Sequence, residues 1–321
     1  MSTVLYFDKV FPAFKDLLET HNSDGLKLAY WYEMSETERE EALKEADYFL
    51  VATTKITKEM INKACNLKLV QKTGIGVDNI DLEAAKELNI PVCNTPGGNA
   101  AGVAELTIGM ILSLYRKLNI LDKATKEGQW LMWEYRPSSY EMNGKTHGFI
   151  GFGNIGRETA KRSQAFGTNI IYYDKFRLPE DKEKELGVSY MELDEVLKKS
   201  DIISLHIPLL PETRGLISKR ELSLMKPDAI LVNVSRGNIV DEEALAEALR
   251  NKKIAGAGID VWASEPVSKE NPLLKFDNVI ATPHIGAGTR DTLNKVLGLA
   301  FQNFSLIENG KKPKFVLNGV E

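Results

Sequence analysis

Histidine is the side chain best suited to proton transfer near neutral pH, and this sequence contains four. We expect reactive groups just beyond the carboxyl ends of predicted strands, because ligands of parallel α/β sheets bind there. His284 follows the apolar run at 279–281 and precedes a glycine-rich loop, so it is the candidate proton donor. His206 also follows an apolar run and is predicted to line a ligand cleft. The other two are less well placed, since His21 lies in a polar stretch and His147 at the opposite end of its strand.

Two charged residues on neighbouring loops would complete a site around His284. Glu265 follows the apolar run at 255–259 and stands nineteen residues before the histidine. A carboxylate partner favours the protonated imidazole and orients its ring. Arg236 follows the run at 229–234, and a guanidinium can hold a substrate carboxylate through two hydrogen bonds. Each residue alone is more simply explained as structural, but together they predict acid–base chemistry on a small carboxylic acid.

A glycine-rich turn lies near the middle of the chain, between a predicted strand at 147–150 and a predicted helix at 157–166. A second strand at 169–173 ends at Asp174. This context, rather than the glycine spacing alone, predicts a turn whose backbone and helix N-terminus hold the pyrophosphate of a dinucleotide. Asp174 can accept hydrogen bonds from the ribose hydroxyls and would repel a 2′-phosphate, so NAD is favoured over NADP. The alternative is a turn that only joins strand to helix. The predicted pyrophosphate-binding residues are Gly151, Gly153, Asn154, Ile155 and Gly156.

Short apolar runs alternate with polar helical stretches on both sides of this turn, which predicts parallel sheets covered by helices. A longer helix is predicted from residue 99 to about 121, and a last helix from about 289 to 308. We therefore expect an α/β fold with two doubly wound parallel-sheet domains. The expected strands lie at 4–7, 26–30, 48–51, 67–70 and 92–94 before the turn, and at 202–205, 229–232, 255–259 and 279–281 after Asp174.

Composition argues against several classes of protein. The formal net charge is −4 and no block of like charges forms a tail, so no nucleic-acid partner is expected. No apolar stretch approaches membrane-spanning length and the N-terminus lacks a signal-peptide pattern, so we expect a cytoplasmic protein without a membrane partner. Cys65 and Cys93 follow no metal-ligand or redox spacing, which predicts two buried free thiols and no metal site.

Five segments resemble the motifs of the D-2-hydroxyacid dehydrogenases, the family typified by phosphoglycerate dehydrogenase and hydroxypyruvate/glyoxylate reductase. The resemblance covers almost the whole chain. It implies a Rossmann cofactor domain at 99–286, inserted into a smaller, flavodoxin-like substrate domain that is formed by 1–98 and 287–321. The five segments are 72–81, which resembles the substrate-anchoring loop of the family, 94–107, 231–241, 258–266 and 282–286.

The resemblance implies NAD-dependent reduction of a small 2-oxo acid to the D-2-hydroxy acid, with Arg236, Glu265 and His284 as catalytic residues. The substrate carboxylate would lie on the backbone N–H groups of Ile75 and Gly76 and against Arg236, while His284 exchanges a proton with the substrate oxygen. In the formate dehydrogenase branch, where no proton is transferred, the position of Glu265 is glutamine, so the glutamate here favours acid–base chemistry. Further cofactor contacts are implied for Thr107, His206, Ile207, Pro208, Val234, Ser235, Asp260 and Gly286, with Asp260 holding the nicotinamide carboxamide.

The substrate and the quaternary structure stay open at this point. Hydroxypyruvate, glyoxylate and phosphohydroxypyruvate are candidates, although the segment at 51–57 lacks the arginine that helps to hold the phosphate in phosphoglycerate dehydrogenases. Lys55 or Arg136 could compensate for it. The alternatives from other classes are an NAD-sensing binding protein of the corepressor type and an enzyme that oxidises another small anion, such as phosphite. The aromatic segment at 130–136 is interpreted as the contact of a homodimer, with a pocket wall as the alternative.

Overall fold

Two separate parallel β-sheets organise the chain in the computed structural model, which describes residues 1–320. The chain divides into two units, each with its own sheet. The first unit is built from Met1–Asn99 and from the residues that follow Gly288, and the second unit is Ala100–Gly288. The second unit therefore interrupts the first in the sequence.

The strands and helices alternate along most of the chain. The strands are β1 Thr3–Tyr6, β2 Lys27–Tyr30, β3 Tyr48–Val51, β4 Leu69–Lys72, β5 Val92–Cys93, β6 Thr146–Ile150, β7 Asn169–Tyr173, β8 Val188–Tyr190, β9 Ile202–Leu205, β10 Ile230–Asn233, β11 Gly256–Ile259 and β12 Val279–Ala281. The α-helices are α1 Pro12–His21, α2 Glu36–Glu45, α3 Lys58–Lys63, α4 Leu82–Glu87, α5 Ala100–Arg116, α6 Leu118–Lys126, α7 Asn154–Ala165, α8 Glu180–Leu186, α9 Leu193–Lys199, α10 Lys219–Leu224, α11 Glu242–Arg250 and α12 Arg290–Glu308.

Every strand pairing between these strands is parallel. The first sheet has the order β2-β1-β3-β4-β5, and the second has the order β12-β11-β10-β9-β6-β7-β8. The strand order of the second sheet reverses between β6 and β9, which is where doubly wound sheets bind ligands. The predicted fold class, two doubly wound parallel sheets, is confirmed.

The central strands β3, β9 and β10 are buried along their whole length, which is why they read as largely apolar runs. In the first unit one face packs against α2, α3 and α4, and the other face packs against α1 and α12. The side chains on the first face include Leu5, Phe7, Phe49, Val51 and Val70. Those on the second face include Val4, Tyr6, Tyr48, Leu50 and Leu69.

Three local predictions were wrong. The single helix expected at 99–121 is interrupted at Lys117, whose φ of 53° is left-handed, and α6 then begins at Leu118. The edge strand β8 was not predicted, because three residues are too short to show an apolar period. Cys93 is buried as predicted, but Cys65 is exposed because it lies in the turn that follows α3.

No helix within residues 1–320 is both long enough and apolar enough to cross a membrane.

Candidate active site

Three neighbouring strands of the second unit place the predicted catalytic residues. Strands β10, β11 and β12 are adjacent and parallel, with Asn233 beside Ile259 and Ile259 beside Ala281. Each strand therefore ends at the same edge of the sheet. The loops that follow carry Arg236 after β10, Glu265 after β11 and His284 after β12.

His284 and Glu265 form a direct pair. The distance from His284 Nδ1 to Glu265 Oε2 is 2.8 Å, and the two side chains are 37% and 38% exposed. The other oxygen of the carboxylate, Oε1, accepts a hydrogen bond of 3.0 Å from the backbone N–H of Trp262. Both oxygens are therefore fixed by neighbours, and the histidine ring is held in one orientation.

The electrostatic surroundings keep Glu265 ionised. Burial of the carboxyl group would by itself raise its pKa, but the hydrogen bonds from His284 and Trp262 outweigh burial. The positive charge of Arg236 adds to them, so the pKa of Glu265 lies below its ordinary value. An ionised carboxylate can only accept hydrogen bonds, so His284 Nδ1 must carry the hydrogen. The other ring nitrogen, Nε2, is left to exchange a proton with a ligand.

Asp260 organises the backbone around the histidine. Its buried carboxylate accepts a hydrogen bond of 2.5 Å from the Thr282 hydroxyl and one of 2.8 Å from the Ile285 N–H on Oδ1. Its other oxygen accepts the N–H of Gly286 at 2.9 Å. Asp260 thus anchors the loop on both sides of His284, a role that the sequence resemblance did not indicate.

The backbone of His284 is itself unusual. Its φ is 54°, in the left-handed region that non-glycine residues seldom adopt. The backbone N–H of His284 donates a hydrogen bond of 2.7 Å to the carbonyl oxygen of Asp260. Such conformations persist only where the surroundings enforce them, and they are concentrated at functional sites.

A glycine brings the arginine loop against the glutamate loop. A Cβ atom on Gly237 would lie 1.9 Å from the carbonyl carbon of Trp262, so only glycine fits at this position. The Asn233 side chain supports the arginine loop with two hydrogen bonds. Its amide N–H donates to the Arg236 carbonyl at 2.9 Å, and its oxygen accepts the Ser235 N–H at 3.1 Å. The Arg236 guanidinium donates to the Ser235 carbonyl at 2.8 Å, among other contacts.

The glycine turn after β6 has the shape that a pyrophosphate requires. A Cβ on Gly151, whose φ is +92°, would lie 2.6 Å from the carbonyl oxygen of His206, and a Cβ on Gly156 would lie 2.6 Å from the carbonyl oxygen of Gly151. A Cβ on Gly153 would meet no atom of the described chain within 4 Å. Packing within the protein therefore requires glycine at positions 151 and 156, whereas the absence of a side chain at Gly153 leaves open space. That space lies at the N-terminus of α7, which no side chain caps.

Asp174 lies at the end of β7 and supports this turn. Its Oδ2 accepts the N–H of Phe152 at 2.7 Å, and its Oδ1 accepts the N–H of Phe176 at 2.9 Å. Each oxygen keeps a further lone pair for a ribose hydroxyl. The residues of the turn, α7 and Asp174 together fit the pyrophosphate and ribose of a dinucleotide.

The buried His147 and the half-buried His206 belong to one polar chain rather than to the catalytic group. The Nε2 atoms of both histidines lie 2.9 Å from the hydroxyl of Ser204. The Nδ1 atom of His147 lies 2.9 Å from the hydroxyl of Ser163. Burial lowers the pKa of His206 to about 3 and holds that of His147 well below its ordinary value, so both rings are neutral. His206 contributes its backbone to the glycine turn, where its carbonyl faces Gly151.

The remaining predicted residues fall in both units. Thr107 is buried on α5, where its hydroxyl donates to the Val103 carbonyl at 2.8 Å. Ile75 and Gly76 lie in the first unit, in the loop after β4. In this loop the Ile75 carbonyl accepts a hydrogen bond of 2.8 Å from the Asn94 side chain. Within residues 1–320 no group of three or more histidine, cysteine, aspartate or glutamate side chains is arranged to hold a metal ion.

Sequence reasoning missed two positions that shape the site. Trp262 donates its backbone N–H to Glu265, and its indole Nε1 donates to the Thr282 carbonyl at 3.0 Å, which ties the glutamate loop to the histidine loop. Gly237 allows the close approach of the arginine loop. A glycine directly after the candidate arginine was the available signal for the second, whereas nothing in the sequence pattern indicated the first.

Comparisons with known proteins agree with this geometry. Residues 108–286 match the family described as "D-isomer specific 2-hydroxyacid dehydrogenase, NAD binding domain". The chain is 44% identical over 265 residues to the hydroxypyruvate reductase of Thermotoga maritima, which covers 81% of this chain and 85% of that protein. It is 41% identical over 280 residues to the D-3-phosphoglycerate dehydrogenase of Methanocaldococcus jannaschii, with 87% of this chain and 53% of that protein covered. The chain thus spans about half the length of the phosphoglycerate dehydrogenases that it matches.

A solved structure shares the whole fold. The glyoxylate reductase from Paecilomyes thermophila superimposes with a TM-score of 0.83 at 31% sequence identity, over 97% of each chain. The family match spans more than half of the sequence and falls on the unit that carries the glycine turn and the Glu265–His284 pair. The chain therefore belongs to the D-isomer specific 2-hydroxyacid dehydrogenase family, and residues 108–286 are its NAD-binding domain.

Proposed function

We propose that this protein is an NAD-dependent dehydrogenase that reduces a small 2-oxo acid to the D-2-hydroxy acid, with His284 as the proton donor. The observation that carries the proposal is the 2.8 Å hydrogen bond between His284 and Glu265 beyond the ends of β11 and β12. A histidine oriented by a carboxylate is a common arrangement for general acid–base catalysis. Relatives named hydroxypyruvate reductase and glyoxylate reductase support the same chemistry.

The residues of the chain would share the reaction as follows. Arg236 would bind the substrate carboxylate through its guanidinium. The glycine turn and Asp174 would hold a nicotinamide dinucleotide, which would supply the hydride for the carbonyl carbon. His284 gives the proton on Nε2 to the carbonyl oxygen, and Glu265 stabilises the charged imidazole before the transfer. In the oxidative direction neutral His284 accepts the same proton.

The cofactor would be held by residues of the second unit. Gly151, Gly153 and the first turn of α7, Asn154 to Gly156, would bind the pyrophosphate through backbone N–H groups. Asp174 would bind the adenosine ribose. The loops after β9, β10, β11 and β12 would provide the other contacts, together with one residue of α5. They are Thr107, His206, Ile207, Pro208, Val234, Ser235, Asp260 and Gly286.

We favour hydroxypyruvate and glyoxylate over phosphohydroxypyruvate. The loop after β3, at 51–57, contains no arginine. Its backbone N–H groups at Ala52, Thr53 and Thr54 donate to the carboxylate of Asp8 at 2.5, 2.7 and 2.9 Å. These donors are already used within the protein, so a phosphate would depend on the exposed Lys55 in this loop.

Steady-state oxidation of NADH with a panel of 2-oxo acids tests the proposal. We expect kcat/KM to be highest for hydroxypyruvate or glyoxylate and at least tenfold lower for phosphohydroxypyruvate, a difference of about 1.4 kcal/mol. A preference for phosphohydroxypyruvate would contradict the substrate class. Tight NADH binding without turnover on any 2-oxo acid would contradict the enzymatic function and favour a sensor.

We further propose that the active protein is a cytoplasmic homodimer whose contact includes the segment 130–136. Trp130 is 75% exposed, Trp133 is 66% exposed and Met132 is 45% exposed. Large apolar side chains clustered at a surface are typical of protein interfaces. The partner is a second copy of this chain, and the small-molecule ligands are the 2-oxo and 2-hydroxy acids.

A further inference from the structure

The segment that follows Asp174 contains two cations, and the structure treats them differently. Arg177 forms a two-pronged ion pair with Glu183 on α8: the distances are 2.9 Å from Nε to Oε1 and 3.0 Å from Nη2 to Oε2. Lys175 pairs with Glu212 at 3.4 Å, and these side chains are 71% and 55% exposed. Two-pronged arginine–carboxylate pairs have a fixed geometry, whereas exposed lysine pairs contribute little.

Glu183 is itself held in place. The residue is buried, and its Oε1 also accepts a hydrogen bond of 2.7 Å from the hydroxyl of Tyr172 on β7. The same hydroxyl accepts the backbone N–H of Leu178 at 2.9 Å, which fixes the chain just after Arg177. The guanidinium lies 5.1 Å from the ring centroid of Tyr190 on β8, within the range of a cation–π contact. The arginine is therefore restrained by α8, β7 and β8 together.

We propose that Glu183 is a specificity-determining residue for the dinucleotide, because it keeps Arg177 away from the adenosine ribose and thereby withholds the cation that a 2′-phosphate would need. Arginine near the ribose is what accommodates the 2′-phosphate of NADP in folds of this kind. Selection of NAD then has two sources: repulsion by Asp174 and the removal of Arg177 by Glu183. The proposal depends on the dinucleotide site and not on the identity of the 2-oxo acid.

The Arg177 side chain is close enough along the chain to reach the ribose-binding region beside Asp174. Arg177 lies three residues after Asp174, so their Cα atoms are at most about 11 Å apart. The Asp174 carboxylate also binds the N–H of Phe176, which keeps the intervening chain close to the ribose-binding group. The long side chain of Arg177, released from Glu183, would share this region with a bound 2′-phosphate. Its fixed fork of donors suits a phosphate.

The test is the dissociation constant of NADH and of NADPH, measured by fluorescence titration without substrate. In Glu183→Gln the amide oxygen can still accept the Tyr172 hydroxyl, but the charge of the ion pair with Arg177 and the second hydrogen bond to the guanidinium are lost. We expect NADPH affinity to rise about five- to tenfold, while NADH affinity changes less than about twofold. The gain has this size because one charge-assisted contact to the 2′-phosphate is partly offset by repulsion from Asp174. The gain should disappear in Glu183→Gln/Arg177→Met.

A matched control separates this effect from the loss of one negative charge. Glu212→Gln removes a carboxylate from the Lys175 pair in the same region, and it should leave the ratio of the two dissociation constants within about twofold of wild type. Thermal melting checks the fold, and Glu183→Met, which has a similar volume, replaces the Gln variant if that one is destabilised. An unchanged ratio in the folded Glu183 variant, a gain that persists without Arg177, or an equal gain in Glu212→Gln would overturn the proposal.

Discussion

At the scale of single residues, the position of the His284 ring is fixed by its partner Glu265 and by the conformation of its own backbone. The ring is held by Glu265 at 2.8 Å, while the loop around it is fixed by three hydrogen bonds to the Asp260 carboxylate. An enzyme gains when its proton donor is positioned before the substrate arrives, because little rearrangement is then needed in the transition state. The left-handed φ of 54° at His284 is part of this fixed arrangement.

Replacing Glu265 by Gln tests the electrostatic part of this pair. The carboxylate is ionised, since its pKa lies below the ordinary value, and its charge favours protonated His284. Glu265→Gln removes this charge and keeps the size of the side chain and one oxygen that accepts hydrogen bonds. The alkaline limb of the kcat/KM profile for reduction should therefore move to lower pH, and the acidic limb for oxidation should move in the same direction.

The pH profiles of wild type and Glu265→Gln in both directions measure these shifts, and circular dichroism confirms that the variant is folded. A purely structural Glu265 would give a less stable protein with both limbs in their original positions. That outcome would reject the electrostatic pairing.

Residue types and spacing were enough to predict the pairing of Glu265 and His284, because adjacent parallel strands bring their carboxyl-end loops together. The supporting contacts could not be predicted in the same way. The approach of Gly237 to Trp262 and the three bonds of Asp260 depend on loop conformations that the apolar pattern does not encode. Asp260 was assigned only a ligand contact by resemblance, whereas the structure shows it as an anchor of the histidine loop.

At the scale of elements, the turn between β6 and α7 separates glycines needed for packing from a glycine that leaves room for a ligand. Gly153→Ala should fold with a stability within about 1 kcal/mol of wild type, because its Cβ meets no protein atom. The added methyl group would occupy the space of the pyrophosphate. NADH affinity should therefore fall about tenfold or more, which corresponds to about 1.4 kcal/mol.

Gly151→Ala is the matched control for this prediction. Its Cβ would lie 2.6 Å from the His206 carbonyl oxygen and its φ is +92°, so the substitution should lower the melting temperature clearly. Titration with NADH and thermal melting of both variants decide the matter. Equal NADH affinity in Gly153→Ala and wild type would show that this space does not receive the dinucleotide.

The buried chain through β6 and β9 predicts a loss of stability in acid. His147 and His206 stay neutral in the folded protein because burial lowers the pKa of both rings, that of His206 to about 3. Below about pH 6.5 the unfolded chain binds protons that the folded chain does not. The free energy of unfolding should therefore fall as the pH falls, by up to about 1.4 kcal/mol per pH unit for each histidine.

Denaturant unfolding at pH 7, 6 and 5 measures this slope. His147→Gln keeps hydrogen-bonding groups beside Ser163 and Ser204 but cannot titrate. The free energy of unfolding of this variant should change less with pH than that of the wild type. The difference in slope corresponds to about one bound proton. The same slope in both proteins would show that His147 is not the source of the acid sensitivity.

The elements themselves were predicted where the apolar runs are long or follow strong turn signals. The strands of both sheets other than β8 were found from such runs, and the runs are clearest in the central strands, which are buried on both faces. The interruption at Lys117 was not found because the apolar residues continue from α5 into α6. It is stabilised by tertiary contacts such as the 3.2 Å hydrogen bond from Asn119 to the Asp277 carbonyl, which are absent from local sequence.

At the scale of the whole molecule, the exposed tryptophans predict self-association. Substituting Trp130 and Trp133 by serine removes the largest apolar side chains from the proposed contact without disturbing a buried core, since they are 75% and 66% exposed. The double variant should be monomeric at concentrations where the wild type is a dimer. Sedimentation equilibrium compares the two. A monomeric wild type, or a variant that still forms dimers, would contradict this assignment of the surface.

Turnover of 2-oxo acids through His284 is the outcome that the Glu265–His284 pair predicts most directly. The most direct measurement is NADH oxidation by wild type and His284→Ala with hydroxypyruvate and glyoxylate, accompanied by NADH titration of both proteins. We predict turnover by the wild type, a fall in kcat of about 10²- to 10⁴-fold in the variant, and NADH affinity that is nearly unchanged. His21→Ala, a histidine of the first unit, should behave as wild type. Equal activity of His284→Ala and wild type would contradict the account.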